Sequence, residues 1–233
     1  QLILFKKGLD REIAAGKPMN IAVMDTLKPI IKEIIDVVCF DGNGYTDEWK
    51  KEAARRGLDV ETNVPNMFKA FTTPKALKLF TGLGVYSEVE LYARNEVKWE
   101  IYTKKIQIES RVMGRMAINH IIPAALTYQR RLLKQISLMK DVFDDSYKTM
   151  AGVEIGLVRE ISSLVTEINS RVDAMVEARK RANNIEDKYK QAKAYHGVAE
   201  AVLELRTPID KLEEIVDNDI WPLPKYRELL FIN

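Results

Sequence analysis

The stretch DGNGYTDEWKKE, Asp41 to Glu52, puts Asp41, Asn43 and Glu52 at the first, third and twelfth positions of a loop. A calcium-binding EF-hand keeps oxygen ligands at those positions. The same chemistry needs Gly at the sixth position, an oxygen ligand at the fifth and an aliphatic residue at the eighth, where this chain has Thr46, Tyr45 and Glu48. The positions that fail are the ones that shape the loop, so the stretch reads as a turn followed by a helix start. Gly42, Asn43 and Gly44 are turn formers. Thr46 is the expected N-cap, with Asp47 and Glu48 in the first turn at the positive end of the helix dipole. A calcium-responsive helical protein is the weaker alternative.

Other residue types that carry chemistry are scattered. The two histidines, His120 and His196, have no His or Cys at ligand spacing. His120, in an apolar run before Pro123, reads as a core or helix-end histidine. Cys39, the single cysteine, reads as a buried small hydrophobe rather than a nucleophile. DGNGY and TGLGV lack the Walker pattern and a preceding strand, and no nucleophile turn supports a Ser-His-Asp arrangement. The basic run Ala178 to Arg181 could hold phosphate, but it lies near a predicted helix end, where cations complement the dipole. Arg130 and Arg131 read the same way. Met113, Met116, Met139 and Met175 fall on helix faces as core, and Glu213-Glu214 lies on a charged surface without the burial a general acid needs.

The elements that must carry these residues are helices. A short amphipathic helix spans Leu2 to about Ala15 and ends at Gly16-Lys17-Pro18. Ile21, Met24, Leu27, Ile30, Ile31, Ile34 and Val38 recur at helical spacing and predict a helix over Asn20 to Phe40, with Pro29 inside it as a candidate kink. Thr73-Pro74 starts a short helix that ends at Gly82 and Gly84. Ser87 with Glu90 forms a capping box, and from there the helical pattern runs to about Lys140, with a kink expected near His120 from Pro123. Val142 to Thr149 breaks it. Val158, Ile161, Val165, Ile168, Val172 and Met175 make one heptad seam; Tyr195, Val198, Val202, Leu205, Ile209 and Leu212 make another. The short turn Ala182 to Asp187 between them makes the two helices antiparallel neighbours. Pro208 predicts a bend in the second arm, and two prolines in DNDIWPLPKY forbid regular helix until Lys225.

Composition agrees. The 233 residues are 46% hydrophobic and 30% charged, with 11 Gly and 8 Pro, which favours long helices and a sizeable core. The charge of +2 from 36 basic and 34 acidic residues gives no electrostatic reason to expect nucleic acid or an acidic membrane as partner. No apolar run approaches a membrane span, no signal peptide is read, and a lone thiol suits a reducing compartment. The start at Gln1 without Met reads as a cut from something longer. The fold class expected is all-α: a helical bundle with a kinked long helix and a long antiparallel hairpin, in two regions, 1–86 and 87–233, or one continuous domain. On these grounds alone the function would be that of a scaffold or oligomerisation module.

Four blocks add a resemblance. FDGNGYTDEWKKEAARRGL, KKIQIESRVMGRMAINHIIPAALTYQ, ARKRANNIEDKYKQA and WPLPKYRELLF resemble, in order and over about Phe5 to Phe231, the C-terminal region of type III glutamine synthetases, the large bacterial ATP-dependent glutamate–ammonia ligases. The resemblance implies a parent that makes glutamine through γ-glutamyl phosphate with ATP and Mg2+ or Mn2+, assembles as stacked hexameric rings, and is cytoplasmic. It implies that residues 1–86 continue helices of an upstream catalytic domain and that the remainder is a helical extension. The family's metal-binding glutamates and histidine, and its substrate-handling arginines, lie in upstream motifs that do not occur here. No catalytic, cofactor-binding or metal-binding residue is therefore carried over, and the chain alone is expected to be inactive, with no cofactor of its own. The expected partners are the rest of the same polypeptide and further copies of it, not nucleic acid or membrane. Trp221, Leu223, Tyr226, Leu229, Leu230 and Phe231 are candidates for a contact with a neighbouring subunit or the parent's own catalytic domain, against the alternative that the tail folds back over the hairpin base. An independent helical interaction module is the competing reading of the whole chain.

Overall fold

The structure, a computed structural model, describes residues 2–230, and at 226 and 227 the backbone alone. It is helical, with no strand among the described residues. The helices form two compact units, Gln1–Glu61 and Thr62–Asn233.

In the smaller unit, α1 (Leu2–Ala14) packs against α2 (Met19–Val38), and α3 (Asp47–Arg55) follows the glycine turn. Gly16, at φ 87°, takes the left-handed conformation that lets the chain reverse after α1. A Cβ on Gly8 would stand 3.1 Å from Thr26 Cγ2, so α1 and α2 approach closely there, over the fully buried Ala22. Lys17 closes the turn by pairing with Glu12 and Asp25, each at 2.7 Å. Pro29 lies inside α2, which continues to Val38. The apolar stripe of α2 is open: Ile21, Met24, Ile30, Ile31, Ile34 and Val38 are all exposed. The unit's buried hydrophobic side chains are the small ones of Ala22 and Ala53.

In the larger unit, α4 (Val64–Lys69), a 3-10 turn and α5 (Pro74–Gly82) lead into α6 (Glu88–Met116). Ser87 caps α6 through the expected box, its hydroxyl accepting from the Glu90 amide while the Glu90 carboxylate accepts from the Ser87 amide. The disturbance expected at Pro123 is taken up as a π turn, Ala117–Ile121, in which the Ile122 amide donates to the Ala117 carbonyl. Helix α7 (Ile122–Phe143) continues from it. Asp144 then adopts φ 44°, ψ −130°, and a 3-10 turn and α8 (Tyr147–Met150) lead to the hairpin.

The hairpin is α9 (Gly152–Asn183) and α10 (Lys188–Ile215). Asp187 caps α10 by accepting from the Lys190 amide. Helix α9 runs back along α7, where Gln129 donates to the Val158 carbonyl and Gln135 to Glu154, and ends beside α6, where Gln107 donates to Asn183. Helix α10 returns along α6, from the Lys188–Glu100 ion pair at its start, and the chain just beyond its end reaches α7 through the Arg131–Asp217 pair. The unit is thus three long rods, α6–α7, α9 and α10. Both heptad seams face the common core: Ile161, Ile168, Val172, Met175, Tyr195, Val198, Leu205, Ile209 and Leu212 are buried, with Val158, Val165 and Val202 packed against them. Pro208 is buried inside α10, which runs through it to Ile215.

The sequence reading set its boundary at 86/87. The contacts instead join α4 and α5 to the larger unit, because Trp99 of α6 donates to the Pro65 carbonyl and Tyr189 of α10 donates to Asn66. The Trp99 and Tyr189 rings pack 5.2 Å apart, and the Lys69 ammonium lies 4.9 Å from the Tyr189 centroid.

Candidate functional site

The loop from Asp41 is a turn and cap. The Asn43 side chain accepts from the Tyr45 amide and the Thr46 hydroxyl from the Trp49 amide. Beyond it, Phe40 and Trp49 stack at 4.2 Å, and Arg56 reaches back to the end of α2, donating to the Cys39 carbonyl at 2.6 Å and the Val37 carbonyl at 3.4 Å. The last carbonyls of a helix have no partner within it, so Arg56 caps α2. Glu52 fixes that guanidinium at 2.6 Å. Hydrogen bonds from Arg55 and Arg56 hold the Glu52 carboxyl down to about 2. Cys39 is exposed, which corrects the expectation of burial: it stands one residue past the last turn of α2, where its carbonyl is held and its side chain faces solvent. Among the described residues no group of His, Cys, Asp and Glu is placed to hold a metal ion.

His120 is exposed on the π turn, not in the core, because the widened turn carries it to the outer side of the rod. His196 is half-buried and shares a hydrogen bond of 2.8 Å with the Tyr102 hydroxyl across α6 and α10. The Tyr102 phenol is pushed up by burial. Tyr195, fully buried, donates to the Asn183 side chain, the same oxygen that Gln107 approaches. Burial pushes its phenol up against the opposing pull of Arg179 and Arg111. Of the four methionines assigned to core, Met175 is fully buried and Met113, Met116 and Met139 are half-buried.

The tail residues separate. Trp221 is buried in the larger unit's own core, and Leu223 packs against it. Lys225 secures this fold-back by donating to the Glu213 and Val216 carbonyls at 2.6 and 2.9 Å, closing the end of α10. Leu229 and Leu230 are exposed on the short helix α11 (Tyr226–Leu230). Tyr226 lies on that helix, and Phe231 lies outside the described residues.

Two grooves on the larger unit were not found from sequence. One, of about 650 Å³, lies between α5 and α6, walled by Phe71, Phe80 and Tyr86. Arg94 lies 4.6 Å from the Tyr86 ring and Lys98 3.3 Å from the Phe71 ring. Asn95, 1% exposed, lines this groove, and both polar atoms of its side chain lack a partner. The other, of about 580 Å³, runs where α6 and the π turn meet α9. Their residues come from separate helices, so no sequence motif announces them.

No helix among the described residues is long and apolar enough to cross a membrane. The family model for the glutamine synthetase C-terminal domain matches residues 22–140. A glutamine synthetase from Bacteroides fragilis (strain YCH46) is 43% identical over 99% of this chain and 32% of its own length. One from Butyrivibrio fibrisolvens is 30% identical over 89% of this chain and 30% of its own, and the type-3 glutamine synthetase of Dictyostelium discoideum is 29% identical over 91% and 29%. The chain thus spans about a third of the length of the curated relatives it matches. The matched span runs from α2 to α7 through the capping box and π turn, and this all-helical chain belongs to the glutamine synthetase C-terminal domain family.

Proposed function

We propose that this chain is the helical, structural part of a type III glutamine synthetase that joins ammonia to glutamate through γ-glutamyl phosphate. The observation that carries the reading is the likeness over nearly the whole chain to about a third of a glutamine synthetase, together with an apolar stripe on α2 that its own unit leaves open. Such a stripe suits packing against further parts of the same polypeptide or another copy. The ligase chemistry, with ATP and Mg2+ or Mn2+, is assigned to residues of the parent outside this chain, and the three rods set spacing within a homo-oligomer of stacked hexameric rings. The cytoplasm, where ATP is available, is the proposed location.

The test is direct. The native polypeptide that contains this chain is assayed for ATP-dependent glutamine formation and its native mass is measured. Glutamine synthesis by an oligomer, with none from the isolated 233 residues, is expected. Turnover by the isolated chain, or a parent that makes no glutamine, overturns the reading.

A further inference from the structure

The groove between α6, the π turn and α9 collects arginines that the rest of the molecule leaves unpaired. Arg111 and Arg115 stand one turn apart on α6, and Arg179 of α9 lines the same groove. Several other arginines meet carboxylates: Arg55 and Arg56 on Glu52, Arg171 on Glu167, Arg206 on Asp210. Among the described residues, none of these three has an ion pair or a hydrogen bond, and no acidic residue lines the groove. Like charges one turn apart destabilise a helix, and a third cation brought up from α9 adds to that repulsion. A bound anion would relieve it.

Two further features shape the place. The π turn Ala117–Ile121 supplies Ile118 and Asn119 to the lining, and single π turns within α-helices are frequent at functional sites. Gly114 lets α6 and α9 close together at the floor: a Cβ there would lie 3.2 Å from Met175 Cε. Val172 and Val176 complete an apolar floor beside the cations. Planar guanidinium groups bind phosphate oxygens two at a time, and a groove of about 580 Å³ falls in the size range of small-molecule sites.

We infer that this groove is a binding site for a small organic phosphate, its phosphate held by Arg111, Arg115 and Arg179 and its apolar body on Ile118, Val172 and Val176. The run Ala178 to Arg181 then holds one functional member, Arg179. Lys180 is paired with Glu177 at 2.7 Å. The inference rests on this chain's own residues and stands apart from the ligase reading.

The experiment is calorimetric titration of the whole chain with ADP, pyrophosphate and inorganic phosphate at low and high salt. ADP is expected to bind saturably, more tightly than pyrophosphate and far more tightly than phosphate, and to weaken with salt. Each Arg→Ala change in the trio is expected to weaken ADP about ten-fold or more, while Arg130→Ala/Arg131→Ala binds as the unaltered chain does. The three arginines are surface groups without partners, so unchanged circular dichroism and melting are expected of the variants. A Kd for ADP above about 1 mM, or equal binding by the triple variant, overturns the site. Pyrophosphate binding as tight as ADP overturns the role of the apolar floor.

Discussion

Arg171 of α9 donates from Nη1 to the Glu204 carbonyl of α10 at 2.9 Å. That carbonyl is the one a residue at 208 would satisfy in an unbroken helix, and Pro208 has no N–H to offer. Glu167 holds the same guanidinium at 2.8 Å. A side chain from the neighbouring rod thus replaces a missing backbone bond, which is why α10 tolerates an interior proline. Arg171→Met is expected to destabilise the larger unit by about 1 kcal/mol, measured by urea unfolding. In a Pro208→Ala background, where the 208 amide serves Glu204, the cost should shrink; an unchanged cost in the double-mutant cycle sinks the explanation.

Asp144 sits at φ 44°, ψ −130°, backbone that L side chains rarely adopt. Asp144→Gly is expected to stabilise by about 1 kcal/mol by removing that strain, read as a rise in melting temperature. A fall would mean the Asp144 side chain contributes more than its backbone costs.

Asn95 is buried with both amide atoms unpartnered. Replacing such a group by an apolar one of similar shape is neutral or stabilising, so Asn95→Leu should raise stability by roughly 1 kcal/mol. Denaturant midpoints of the two proteins decide it, and a drop of similar size would show that the amide is satisfied by something bound in the groove.

Glu52 gives the smaller unit an acid dependence. Its carboxyl falls from 4.5 to about 2 on folding, below its unfolded value. The stabilisation is therefore complete above about 4.5 and is lost as pH drops toward 2. Carboxyl 13C titration should show the low value in the unaltered chain and a return toward the ordinary range in Arg55→Ala/Arg56→Ala. Glu52→Gln should flatten that part of the melting-temperature profile.

Much of this fold was legible because its signals are local. A capping box spans four residues, and a heptad seam repeats every seven, so Ser87–Glu90 and the two hairpin seams could be read directly. Arg56 on Cys39 and Arg171 on Glu204 could not, since each joins helices far apart in sequence. Burial of Cys39 was misjudged because periodicity marks a helix face without saying whether anything covers it, and the open stripe on α2 is the same lesson. The candidate groove was hidden for a related reason: Arg111 and Arg115 lie far from Arg179 in sequence, and only the packing of α6 on α9 brings them to one groove.

The π turn has a consequence for the whole rod. From Ile106 onward the residues turned toward the hairpin fall at 106, 110, 114, 117, 121, 125, 128 and 132. At 3.6 residues per turn, that many turns need about one residue fewer than the span contains. An uninterrupted helix would slip out of phase, and its far half would present the wrong side to the hairpin. The widened turn at Ala117–Ile121 absorbs the surplus residue. It works as a vernier, resetting the angular register midway so that the rod keeps the same edge toward the hairpin from Ile106 to Leu132.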